Sequence, residues 1–165
     1  MMKNSVLVII MVLLVVDTLS AQITYVDQEV YGMDCAPCAY GLERGLKKMD
    51  GLQKVRVSLN DGRAYLDLAA ENELTLGAIQ EEVKKNGVSA KKAAVTVSGK
   101  LSKENGQWLV ASPREQFLVS QATSTEYLEK MTEGNDTVIG KVDDEEEDNL
   151  PVQWILTISK MERIQ

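Results

Sequence analysis

The sequence predicts an α+β fold: a four-stranded antiparallel sheet with two helices on one face, followed by a smaller β-rich unit. Three observations predict it. Between residues 26 and 97 the apolar spacing switches between a period of two and a period of three to four, in the order strand, helix, strand, strand, helix, strand. The middle strands are joined by Asn60-Asp61-Gly62, a strong hairpin turn. From Val95 onward short strand-like runs recur, with one short helical stretch among them. The first order is that of a split βαβ, ferredoxin-like domain, and about 70 residues suffice for a marginal core of that kind.

Val26, Gln28 and Val30 alternate in the first strand. From Ala36 the apolar positions are Ala39, Leu42, Leu46 and Met49, one face of a helix. Gly41 and Gly45 lie close to that face, and each costs a helix roughly 1 kcal/mol against Ala. A close approach of this helix to the sheet is the expected compensation. Asp50-Gly51 stops the helix. Val55, Val57 and Leu59 alternate before the hairpin turn, and Ala64, Leu66 and Leu68 after it. Thr75 is placed to cap a second helix whose Leu76, Ile79 and Val83 share a face, and Asn86-Gly87 ends it. Residues 88–97 supply the last strand of the first unit.

Further strands are expected at 95–101, 108–111, 117–120, 138–142 and 152–158. Between the third and fourth, Thr123-Ser124-Thr125-Glu126 is a capping-box pattern opening a short helix with Tyr127, Leu128 and Met131. Three strands, a helix and two strands is the order of a small OB-type barrel. The chain thus divides into a leader at 1–21, a ferredoxin-like domain at 22–97 and a β-rich, OB-like domain at 98–165. No Gly/Ser linker separates the two domains, and the strand near Val95 is shared or abutting. Trp108, Phe117 and Trp154 are candidates either for a binding face on the second unit or for its core.

The leader reading rests on Lys3, the unbroken apolar run from Val6 to Val16, and the small residues of Thr18-Leu19-Ser20-Ala21. The run is short against the roughly 20 residues that span a bilayer, so a cleaved signal peptide is preferred to a retained anchor. It places the mature protein in a periplasm or outside the cell, where disulfides persist. The net charge of −7, with six acids together at Asp143 to Asp148, argues against nucleic acid as a partner. That acidic run reads as a solvated loop or a docking site for cations or a basic partner. There is no histidine, which removes the commonest general base and the Ser-His and Cys-His nucleophile pairs. No enzyme activity is indicated.

The only two cysteines stand in Gly32-Met33-Asp34-Cys35-Ala36-Pro37-Cys38, where the first strand hands over to the first helix. This stretch resembles the Gly-Met-x-Cys-x-x-Cys signature of heavy-metal-associated domains, found in copper chaperones, metal-exporting P-type ATPases and periplasmic mercury-binding proteins. The resemblance extends to Asp50-Gly51-Leu52-Gln53-Lys54-Val55 and to the stretch from Leu76 to Gly87, and covers about residues 26–97. It implies a metal-binding module with Cys35 and Cys38 as ligands and Met33 packed beneath the loop. It implies transfer of the ion to a metal-transporting membrane protein or another metallochaperone.

The chemistry of the residues agrees. Thiolates bind metal, a helix start favours a negative sulfur, and Pro37 is tolerated in the first turn. Two soft sulfurs suit Cu(I) or Hg(II), whereas Zn(II) or Cd(II) needs further ligands. Two positions depart from the family pattern. Asp34 replaces the usual Thr or Ser and reads as a third ligand or as a solvated loop residue. Val88 stands where a Tyr, Phe or Lys is usual and cannot hydrogen-bond to the thiolates, a task left to Lys84 or Lys85 if it is done at all. Two other readings stay open: a structural Cys35–Cys38 disulfide, and a thiol-disulfide oxidoreductase, since Cys-Ala-Pro-Cys is similar to the thioredoxin motif. Against the latter, Asp34 stands where thioredoxins carry an aromatic, and no proline follows before Pro113 to supply their cis-proline strand.

Overall fold

The computed structural model describes residues 22–143 and 153–163. The leader and the run from Asp144 to Asp148 lie outside the described residues. The elements are β1 (Gln22–Tyr31), α1 (Ala36–Leu46), β2 (Leu52–Ser58), β3 (Arg63–Leu68), α2 (Leu76–Lys85), β4 (Ser89–Glu104), β5 (Gln107–Ala111), β6 (Gln116–Val119), α3 (Thr125–Lys130), β7 (Gly134–Val142) and β8 (Gln153–Arg163). The first six reproduce the expected ferredoxin-like order. The antiparallel pairings β2–β3, β3–β1 and β1–β4 build its sheet. Both helices cover the same face: α1 packs on β2 and α2, and α2 on β4 and β1. Their expected core positions Leu42, Leu46, Leu76, Ile79 and Val83 are fully buried. Among the described residues no helix is long and apolar enough to cross a membrane.

The joint between the halves is a single strand. β4 pairs with β1 over Ser89 to Ser98, with β7 over Ala93 to Leu101 and with β5 over Lys100 to Glu104. The β1 and β7 pairings overlap in sequence, so they occupy opposite edges, and β5 takes over the β1 edge where β1 runs out. Gly99 stands at that handover. A Cβ there would lie 2.5 Å from the Ala111 carbonyl oxygen, so a larger residue would push the two strands apart. Residue 97, the division expected from sequence, lies inside β4, and one continuous hydrophobic cluster runs from Ile23 to Ile158.

Beyond β4 the order is two further strands, a helix and two strands. β5 pairs with β6, β6 with β8 in parallel, β8 with β7, and β7 back to β4, so the pairings close a ring. Phe117, Trp154 and Leu156 fill it. The first two are therefore core residues, while Trp108 is half-buried, with the Lys103 ammonium 5.5 Å from its ring centre. The capping box expected at Thr123 does not form. The N-cap of α3 is Ser124, without a side-chain hydrogen bond. Thr123 is buried, and its Oγ1 accepts the Ile158 N–H at 3.1 Å, so it serves the β-structure instead.

The start of α2 shows how the halves are fastened. A helix leaves its first four N–H groups without internal partners. Here Ala78 N donates to Thr75 Oγ1 at 3.0 Å, and the first helical bond runs from Ile79 N to the Thr75 carbonyl. Leu76 N and Gly77 N donate to the Glu115 carboxylate at 2.8 and 3.1 Å. Glu115 belongs to the β5–β6 loop and also accepts the Trp154 indole N–H at 3.0 Å. Its neighbour Arg114 pairs with Glu73 at 2.6 Å. Glu115→Ala leaves two helix donors and one indole donor without their acceptor. Bonds to charged groups are worth about 1.5–3 kcal/mol, so urea unfolding is expected to show a loss of about that size, with Glu115→Gln intermediate.

On α1, Glu43 accepts the Val57 N–H of the edge strand β2 at 3.1 Å and pairs with Lys47. The Lys47 hydrogen bond, and after it that of Val57, hold the Glu43 carboxyl below its ordinary value of 4.5. A depressed folded-state pKa contributes stability that is present above the ordinary value and lost as pH falls through the folded one. Stability measured from pH 7 down to pH 3 is therefore expected to fall more steeply in the wild type than in Glu43→Gln. The two should differ near neutrality by less than about 1 kcal/mol, as befits a largely surface pair. An equally steep fall in the variant would remove Glu43 from this account. Gly45, expected to lie against the sheet, instead faces the end of α2, where a Cβ would meet the Asn86 side-chain amide at 2.6 Å.

Candidate metal centre

The loop that carries the thiols is set by what lies before and beneath it. The β1–β4 register shifts between Gln28 and Val30, and such a bulge turns backbone groups away from the ladder. Gln28, fully buried, answers them: its Nε2 donates to the carbonyls of Glu29 at 2.9 Å and Lys91 at 2.8 Å, and its Oε1 accepts from Gln80 Nε2 at 3.1 Å. The strand then ends at Tyr31, and Gly32 takes the left-handed φ of +84° that starts the loop. Met33 is 6% exposed and joins the core, as the resemblance implies.

Cys35 is the N-cap of α1, in extended conformation, and its Sγ accepts the Cys38 N–H at 3.2 Å. A sulfur thus occupies the place where Ser or Asp oxygens usually sit. Cys35 is half-buried, whereas Ala36, Pro37 and Cys38 are exposed. The two cysteines are joined in a disulfide, with Cα atoms 5.1 Å apart. Both sulfurs therefore stand together at the exposed start of a helix, and in this oxidised form each has its bonding capacity taken by the other. Opening the bridge is a precondition for any ligation.

The remaining site expectations divide. Asp34 is exposed, and among the described residues no group of three or more His, Cys, Asp and Glu side chains is arranged to hold an ion, so Asp34 is not brought to the sulfurs as a third ligand. Val88 is 9% exposed and packs in the core, which accounts for an apolar residue at that position. Lys84 and Lys85 are exposed, and Lys85 lies 3.8 Å from Glu82. Pro113 sits in the β5–β6 loop, and no described peptide bond is cis. Two residues escaped the sequence reading. Tyr31 and Tyr40 flank the cysteine loop in sequence and are 72% and 70% exposed; aromatic side chains left in solvent carry no signal in apolar periodicity.

The model of one family, the heavy-metal-associated domain, matches residues 29–92. That segment is a heavy-metal-associated domain. It covers the cysteine loop, both helices and the first part of β4, within the span from 26 to 97 on which the sequence resemblance was read. Solved structures similar to the chain include a copper-binding domain of the P-type ATPase HMA7, at 29% identity over 41% of this chain and 90% of that one, with a TM-score of 0.39. The yeast copper transporter domain Ccc2a follows at 25% identity, 41% and 90% coverage and a TM-score of 0.38. The CopZ metallochaperone shows 19% identity, 41% and 98% coverage and a TM-score of 0.38. The assignment of the heavy-metal-associated domain rests on the family model and not on these superpositions. No curated protein matches the chain.

Proposed function

We propose that the heavy-metal-associated domain binds one soft metal ion between Cys35 and Cys38 in their reduced form, for transport, buffering or delivery outside the cytoplasm. One observation carries the reading: the only two cysteines stand side by side at an exposed helix start, inside the segment that the family model spans. Two thiolates, with no third donor grouped with them among the described residues, favour an ion content with two ligands, Cu(I) before Hg(II), and disfavour Zn(II) or Cd(II). The Cys38 N–H and the positive end of α1 offset the charge of the pair. An exposed two-ligand site also lets a metal-transporting membrane protein or a second metallochaperone take the ion by stepwise ligand exchange. The apolar leader at 1–21 motivates the placement outside the cytoplasm. No catalytic role is proposed.

The bridge as a mere staple is the weaker reading. It closes a sequence separation of 3, for which the loop-entropy relation gives only about 2 kcal/mol, at a place where the helix start already fixes the chain. For the second half, the ring of pairings with parallel β6 and β8 supports an OB-type small barrel. Ser89 pairs with Tyr31 beside the cysteine loop, while the ring is built from Ala93 onward. Its proposed role is to hold the domain from behind and leave the thiols clear. Anaerobic titration of the chemically reduced chain with Cu(I), Hg(II) and Zn(II) tests the function. One tightly held Cu(I) per chain is expected, and binding of every soft ion weaker than micromolar would overturn it.

A further inference from the structure

We propose that the Cys35–Cys38 bridge is opened by a dithiol reductant that attacks the sulfur of Cys38 and expels that of Cys35. The proposal deepens the metal-binding reading, since ligation needs both sulfurs free, but the exchange itself involves no ion. Two independent features choose the same sulfur. The first is access: Cys38, in the first turn of α1, is exposed, whereas Cys35 is half-buried. The second is the fate of the sulfur that leaves. Cys35 Sγ already accepts the Cys38 N–H at 3.2 Å and sits at the positive end of the helix. Negative charge arriving on it meets a donor in place, with no rearrangement. Among the described residues Cys38 Sγ has no hydrogen-bond donor of this kind. Access to the attacked sulfur and the quality of the departing one both govern thiol–disulfide exchange.

The steps balance. A thiolate of the reductant gives its electron pair to Cys38 Sγ, and a mixed disulfide forms. The Cys35–Cys38 bond breaks, and its electron pair leaves on Cys35 as a thiolate. The second thiol of the reductant loses its proton to solvent and attacks the reductant's own sulfur in the mixed disulfide. Cys38 departs as a thiolate, and the reductant leaves as a cyclic or intramolecular disulfide. Two electrons pass from the dithiol to the bridge, and no other oxidant or reductant takes part. Cys35 is the first sulfur set free, and Cys38 follows it.

The test uses the full oxidised chain and two probes. Brief exposure to limiting glutathione, a monothiol without a second sulfur of its own for the intramolecular second step, is stopped by rapid alkylation with iodoacetamide. Fragment mass spectrometry then places each adduct. Glutathione on Cys38 with alkylated Cys35 is expected in at least about tenfold excess over the reverse arrangement at the earliest times. Glutathione mainly on Cys35, or equally on both, overturns the proposal. In the second arm dithiothreitol, a dithiol, is added to the folded protein without denaturant. Full reduction is expected, and a bridge that persists until the protein is unfolded also overturns it. Neither arm contains metal. Failure here leaves the Cu(I) titration of chemically reduced protein standing, and failure of that titration leaves this mapping standing.

Discussion

Replacing Cys38 with serine is expected to remove tight Cu(I) binding and to leave the fold in place. In the proposed site the ion would have two sulfur ligands, and the variant takes one away. The loss should exceed the roughly 10- to 100-fold that follows when only an outer-shell partner of a metal ligand is removed. Little else depends on that sulfur. Cys38 is exposed and outside the core cluster, so no cavity results, and the lost bridge costs at most about 2 kcal/mol. Cys35→Ser should lose binding to the same degree, yet keep α1, because a serine oxygen caps a helix as well as the sulfur does. Competition against a chromophoric Cu(I) chelator, beside circular dichroism of the same samples, checks both halves of the statement. A Cys38→Ser chain that competes as well as the wild type removes the thiol pair from consideration.

Phe117→Ala is expected to cost the most stability of any single change considered. Phe117 is the only phenylalanine in the chain, it is fully buried, and in β6 it lies between Val110 and Trp154 in register. Truncation of such a side chain costs about 3–5 kcal/mol, from lost transfer energy and the cavity left behind. Set against a total of about 5–15 kcal/mol for an ordinary domain, that loss brings the protein close to unfolding at moderate temperature. Because β4 serves both halves and one cluster joins them, the loss should appear as a lower midpoint of a single urea transition, followed by tryptophan fluorescence and by circular dichroism together. Two separate transitions in the variant would mean that the halves are held together less firmly than the shared strand implies.

What the residues announced in advance was local. The hairpin turn at Asn60-Asp61-Gly62, the Thr75 cap and the helical faces of Leu42, Leu46, Ile79 and Val83 are each encoded within a few neighbours, and all are present in the fold. The cysteine motif was legible for the same reason. Other features depend on partners far along the chain. Glu115 completes the α2 cap from 39 residues away, and nothing around Leu76 announces it. Thr123 fits a local capping rule, yet a strand 35 residues later claims its hydroxyl. The parallel β6–β8 pairing is likewise a long-range fact. Gln28 is intermediate: its place in the alternation with Val26 and Val30 was read, but neither its burial nor its carbonyl partners at the bulge was. The state of the sulfurs belongs to no residue at all. The same motif permits a dithiol or a bridge, and only the electrons present decide.

The unbroken run of β4 from Ser89 to Glu104 has a mechanical consequence. A load applied to the closed set of strands cannot be absorbed by a swivel, because there is no tether to swing on. It passes along the continuous backbone of β4, seconded by the Glu115 cap on α2, to the residues that flank the cysteine loop. The molecule therefore behaves as a lever whose handle and tip turn together, and whatever grips the handle also aims the tip.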